Sequence, residues 1–100
     1  MKVDLKPNEL VVKAGDSQHL NEETKVGGKL ILTNQRIYFK SPQDERFDME
    51  ILPTDIEEVM YFKTNLLSSD GINIITKEGR QLKFKIKQRN SWGKAINQMY

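Results

Sequence analysis

The stretch from Gly27 to Phe39, GGKLILTNQRIYF, leaves few folds open to this chain. Apolar and polar residues alternate on both sides of an Asn-Gln pair, the period of strands that bury one face. With a turn at Asn34-Gln35, Thr33 pairs with Arg36, Leu32 with Ile37 and Leu30 with Phe39. Four apolar side chains then share one face, while Lys29, Thr33, Arg36 and Lys40 take the other. A slip of one residue would turn the apolar set outward, so the pattern specifies its register. Asn suits a two-residue hairpin loop because it tolerates positive φ. The expectation is a small antiparallel β domain.

A second hairpin spans residues 71 to 87. A two-residue loop at Glu78-Gly79 would set Ile74 against Lys83, whereas the three-residue loop Lys77-Glu78-Gly79 sets Ile74 against Leu82 and Ile72 against Phe84. The longer loop is expected, with Gly79 left-handed. Leu10 to Leu20 reads as a first strand, bent or bulged at Ala14-Gly15-Asp16. Phe47, Met49 and Ile51 alternate with Asp48 and Glu50 as a further strand, ended by Pro53. Thr54 and Glu57 have capping-box spacing, but the run from Glu58 to Phe62 favours strand, so one short helical turn is expected there. In the last segment Trp92, Ala95, Ile96 and Met99 fall at helical spacing, with Asn90 or Ser91 as N-cap. Gly93 weakens that helix by roughly 1 kcal/mol relative to Ala, so docking onto the sheet must hold it. The sum is about seven strands and one C-terminal helix: a bent sheet or partly open barrel with one end plugged. The expected core is Leu30, Leu32, Ile37, Phe39, Phe47, Met49, Ile51, Ile56, Ile72, Ile74, Leu82, Phe84, Ile86, Trp92, Ile96 and Met99.

Composition agrees. One hundred residues make one domain, and 37% hydrophobic residues with a mean hydropathy of −0.64 imply a thin core under a polar surface. Without cysteine there is neither a disulfide framework nor a thiolate metal site. The opening MKVDLKPNEL has no apolar run of the kind that makes a signal peptide, and no run approaches a bilayer span. The chain is expected to be soluble and cytoplasmic, peripheral at a membrane if it binds lipid. A net charge of +2 does not announce nucleic acid, and no paired stacking platform is evident.

The run Gly28-Lys29-Leu30-Ile31-Leu32-Thr33-Asn34-Gln35-Arg36-Ile37-Tyr38-Phe39 resembles the GRAM domains of the pleckstrin-homology-like superfamily. Ile51-Leu52-Pro53, then Asp55-Ile56-Glu57-Glu58-Val59, a Gly-turn hairpin and a terminal helix with Trp92 follow in the family's order. The resemblance covers roughly residues 8 to 100. It implies a mainly β fold, a seven-stranded antiparallel half-barrel with one C-terminal capping α-helix. It also implies a non-catalytic module tied to membranes, phosphoinositides or protein contacts. On this reading residues 1–100 are one GRAM domain, with a polar lead-in over 1–8 and the capping helix over 90–100.

Chemistry of the catalytic kind is not suggested. The single His19 has no Ser or Cys partner at a recognisable spacing, and adjacent carboxylates on a strand point to opposite faces. No catalytic residue, cofactor or metal ligand is expected. Lys83, Lys85 and Lys87 alternate with Leu82, Phe84 and Ile86, so the lysines share one outward face, and Arg89 extends the row. The bland reading is a solvated strand or lysine guarding an edge. The functional one is a patch for anionic headgroups. Lys25, Lys29, Arg36 and Lys40 form a weaker candidate patch, next to a first loop made acidic by Glu22 and Glu23. Leu66 and Leu67 are either a plug over a barrel end or an exposed anchor. Two functions follow: a non-enzymatic adaptor engaging a protein partner, and a peripheral module binding anionic lipid or phosphoinositide through the basic strand face. Strand edges are compatible with a homodimer without specifying one.

Overall fold

The first hairpin forms in the expected register. In the computed structural model, which describes residues 5–20, 24–42, 44–64 and 70–100, β2 (Lys25–Thr33) and β3 (Ile37–Lys40) pair Leu30 with Phe39 and Leu32 with Ile37. The turn is closed differently from expectation. Asn34 is not among the non-glycine residues with positive φ, which are Asn8 and Gln88. Instead the Thr33 hydroxyl accepts the backbone N–H groups of Gln35 and Arg36 at 3.1 and 3.0 Å. A hydroxyl at the first turn position supplies the acceptor that a left-handed Asn would otherwise replace.

The second hairpin, β6 (Gly71–Thr76) and β7 (Gln81–Ile86), also matches: Ile74 faces Leu82, Ile72 faces Phe84, and Gly79 has φ 88°. Around them lie β1 (Val11–Leu20), β4 (Met49–Ile51) and β5 (Ile56–Phe62). All pairings are antiparallel, and the strand order is β4-β3-β2-β1-β7-β6-β5. β1 joins the two hairpin layers. It pairs with β2 along nearly its whole length and with β7 over Ser17–Leu20 only. The sheet curls around the apolar cluster, and α1 (Arg89–Asn97) closes one end with Trp92 and Ile96 buried.

Thirteen of the expected core residues are buried in one cluster from Leu30 to Ile96, with Met49 and Met99 packed on its edge. Phe47 is the exception. It is half-buried in a 3₁₀ turn, Glu45–Phe47, because Asp44 caps that turn by accepting from the Arg46 N–H at 3.1 Å. The strand therefore starts at Met49.

Three local details also differ. The irregularity in β1 falls between Val11 and Lys13, while Ala14-Gly15-Asp16 stay in register with Ile31, Leu30 and Lys29. A Cβ at Gly15 would meet Ile86 and Trp92 at an ordinary contact distance of 3.6 Å, so the glycine is not required by packing there. The short turn after β4 begins at Pro53, whose fixed φ suits a first helical position. The acid reaching back there is Asp55, accepting from the Leu52 N–H at 3.3 Å, rather than Glu57. The N-cap of α1 is Gln88, left-handed at φ 59°, instead of Asn90 or Ser91.

Gly93 has a spatial reason. A Cβ there would lie 2.0 Å from the Tyr61 hydroxyl, so the glycine admits the β5 ring against the helix. Arg89 completes this corner. Its guanidinium lies 4.9 Å from the Tyr61 ring centroid and donates to the carbonyls of Phe62 (2.6 Å) and Gly71 (3.3 Å).

Candidate functional site: a lysine-walled trough on the outer face

The strand period sends Leu82, Phe84 and Ile86 into the core and leaves Lys83 and Lys85 on the outside of β7. β7 lies between β1 and β6, so these lysines guard no edge. Across β1 the outer residues of β2 are Lys25, Gly27 and Lys29, and Lys40 follows on β3. The two lysine groups, distant in sequence, thus share one surface.

The cross-strand register gives that surface relief. One row runs Met60, Asn73, Lys83, Leu20, Lys25. The next runs Phe62, Gly71, Lys85, Gln18, Gly27. Gly27 leaves it low at the β2 end, where open space surrounds the glycine, and across five strands the row is about 19 Å long at ~4.8 Å per strand. The Phe62 ring fills the space over Gly71, where an added Cβ would lie 2.7 Å from it. Lys83 Nζ stands 5.7 Å from that ring's centroid. On the trough's far wall, Asp16 faces Lys29 and Lys29 faces Lys40. The open part of the trough is a cavity of ≈ 400 Å³ lined by Asp16, Ser17, Gln18, Gly27, Gly28, Asp70, Lys85 and Lys87.

Three aspartates temper the lysines. Lys85 and Asp70 are 3.9 Å apart, as are Lys29 and Asp16, and Lys40 bonds Asp48 at 3.0 Å. Lys25, Lys83 and Lys87 add further positive charge. The Asp48 carboxylate raises the Lys40 ammonium above its ordinary pKa. The Lys29–Asp16 pair, exposed on both sides, is held weakly and exchanges readily for an incoming anion.

Two of the basic residues marked in the sequence lie elsewhere. Arg89 is the corner clamp described above. Arg36 is 4% exposed, and its outward position is roofed by the lead-in. The Glu9 carboxylate accepts from Arg36 Nε at 2.8 Å and Nη2 at 3.0 Å, and Glu50 accepts from Nη1. The whole Thr-Asn-Gln-Arg run holds this segment. Thr33 donates to Glu9 (2.6 Å), Asn34 bonds the Leu10 N–H and the Asn8 carbonyl, and Gln35 donates to the Pro7 carbonyl (3.0 Å). Arg36 holds Glu9 well below the usual carboxylate range, at about 2, against the opposing effect of burial. Leu66, Leu67, Glu22 and Glu23 lie outside the described residues.

His19 is a packing residue, 5.2 Å from the Phe84 ring centroid with Nδ1 3.2 Å from the Lys83 carbonyl. Burial lowers its pKa, the Lys83 carbonyl partly opposes this, and the Arg80 charge adds to the lowering. It borders a second cavity of ≈ 460 Å³ at the barrel mouth with Arg46, Asp48 and Arg80, where Asp44 already neutralises Arg46 at 2.7 Å. No cluster of metal-ligating side chains occurs among the described residues, and no helix among them is long and apolar enough to cross a membrane.

A seven-stranded antiparallel half-barrel capped by a C-terminal helix is the pleckstrin-homology-like fold. Solved structures agree. The C-terminal domain of an unknown protein from Leishmania infantum superposes with a TM-score of 0.82 at 15% identity, over 93% of this chain and 85% of that one. The C-terminal PH domain of human pleckstrin gives 0.73 at 18%, over 98% and 96%. The Slm1 PH domain gives 0.68 at 15% in its complex with inositol-4-phosphate, over 89% and 96%, and 0.64 at 15% in its complex with phosphoserine, over 89% and 91%. No curated protein gives a significant match. The GRAM domain model matches residues 1–99, and the chain belongs to that family, whose members are typically non-catalytic binding modules.

Proposed function

We propose that this GRAM domain is a non-enzymatic module that binds a phosphate-bearing anionic headgroup in the lysine-walled trough. The observation that carries the reading is a cavity lined by Lys85 and Lys87 beside Gly27, with Lys83, Lys25 and Lys29 on the same outer face of the sheet; a glycine there lets a ligand approach the sheet closely. The Slm1 complexes with inositol-4-phosphate and phosphoserine lend support, since both ligands carry phosphate on the same fold. Each lysine near an anionic membrane contributes about 1 kcal/mol. A protein partner added at a strand edge is the second reading, favoured by β5, which pairs only with β6.

The test is sedimentation with neutral and anionic liposomes, alongside calorimetric titration with inositol-4-phosphate and phosphoserine. The native chain should prefer anionic vesicles, and reversing Lys83, Lys85 and Lys87 to Glu should remove that preference. Equal retention on both vesicle types, with no heat from either soluble probe, would sink the proposal and leave capture of a protein partner as the experiment to pursue.

A further inference from the structure

The trough does not end on a charge. At its β5 end lie Phe62, with its ring under Lys83 Nζ, and Met60, 48% exposed in the same row as Lys83 and Leu20. Ile75, half-buried, is the next outer residue on β6 beyond Asn73. Met60 is exposed, and Phe62, Ile75 and Leu20 are half-buried beside it, so the lysines of this face are interleaved with apolar surface. A water–bilayer boundary suits such a face, because it offers anionic headgroups and acyl carbon within one side-chain length, and long lysine stems cover apolar surface while their ammonium groups reach the headgroups. The charge is on the correct side for such a surface. Lys83, Lys85 and Lys87 stand beside the apolar end, with Asp70 paired to Lys85; Glu58, the outer β5 residue opposite Ile75, puts one acid on this face and lies with Asp55, Glu57 and Glu78 toward the other end of the β5–β6–β7 ladder.

We infer that the chain docks on anionic bilayers by the side of its barrel, with Met60 and the Phe62 edge entering the interface and the lysine-walled trough lying on the headgroups. This rests on the headgroup reading above and commits it to a lipid surface instead of a free phosphate. It also sets an orientation, in which the outer face of β5, β6 and β7 lies flat and the barrel mouth at Glu78 and Arg80 points along or away from the membrane.

The chain has no cysteine, so single-site labelling is clean. Met60→Cys and Glu78→Cys variants would each carry a polarity-sensitive fluorophore and be titrated with phosphatidylcholine vesicles with and without phosphatidylserine. A blue shift is expected at position 60 on anionic vesicles only, with none at 78 and none at 60 on adding soluble phosphoserine. Unlabelled Met60→Ser should bind anionic vesicles about fivefold more weakly, with phosphoserine affinity unchanged; Lys83→Glu should weaken both. Met60 is half exposed and lies outside the core cluster, so the Ser variant should keep the native melting temperature. A shift at 78 without one at 60, or vesicle binding indifferent to Met60→Ser, would overturn side-on docking while leaving the headgroup reading intact. Phosphoserine binding with no added affinity for vesicles would do the same. Binding of neither probe would overturn both.

Discussion

Replacing Glu9 by Gln tests the account of the Thr-Asn-Gln-Arg turn. The carboxylate accepts four hydrogen bonds: two from the Arg36 fork, one from Thr33 and one from the Lys6 N–H at 2.8 Å. The substituted amide would keep the shape but set an NH₂ against a guanidinium or a hydroxyl. Removing one partner of a buried ion pair costs about 3–5 kcal/mol. Here Glu50 still faces Arg36 and is 37% exposed, which reduces the loss. We expect about 2–3 kcal/mol, a fall in Tm of roughly 10–20 °C for a domain this size. Thermal and urea melts followed through the single, buried Trp92 measure it. The pH profile gives an independent check. A carboxyl held at about 2 when folded and near 4.5 when unfolded stabilises the fold fully above 4.5. That contribution drains away as pH falls from 4.5 toward 2. The gap between native and Glu9→Gln should therefore be widest near neutrality and close in acid. A gap under about 0.5 kcal/mol, the scatter of ordinary surface changes, or one independent of pH, would refute the latch.

Two glycines give predictions whose sign carries the information. Gly93→Ala should destabilise the native chain by about 1 kcal/mol, since the lost seat of Tyr61 outweighs the gain in helix propensity, whereas in a Tyr61→Ala background it should stabilise by a similar amount. Urea midpoints of the four-member cycle measure this, and stabilisation in both backgrounds would show that the ring does not need the glycine. Gly79→Ala should cost about 1–2 kcal/mol through its φ of 88° alone, because open space surrounds the site. An unchanged melt would mean that the β6–β7 loop is free to leave the three-residue form.

The hairpins were legible because their information is local. Side-chain parity selects among a few loop lengths, and only one puts Ile74 against Leu82 or Leu32 against Ile37. The helix was legible by its period, although its cap was not, since a left-handed Gln88 leaves no side-chain signature. Phe47 departs from its expected strand because Asp44 caps a 3₁₀ turn there, and so short a turn imitates strand alternation. Arg36 is the residue that parity misplaces most. On parity it faces out, and its partner Glu9 lies 27 residues away in a segment with no regular period. The available signal was an acid directly after the turn-favouring pair Pro7-Asn8, together with a distant turn rich in hydrogen-bonding side chains.

The candidate site illustrates the same limit from the other side. Parity places each lysine on an outer face, but parity does not say which strands are neighbours. Along the chain, Lys29 on β2 and Lys83 on β7 stand far apart. The pairing of β1 with both β2 and β7 brings their outer faces together, and only Ser17–Leu20 makes the β7 contact. That short ladder has side-chain support from within: Ser17 donates to the Lys85 carbonyl at 2.8 Å, and His19 meets the Lys83 carbonyl. Two buried polar residues of β1 thus tie down the backbone of the very positions whose lysines point outward. The lysine ammonium groups remain flexible on their stems, but their Cα atoms are fixed from the inner side of the sheet. The polar residues at positions 17 and 19, which look like interruptions of an apolar strand face, therefore contribute to the surface through the register they hold.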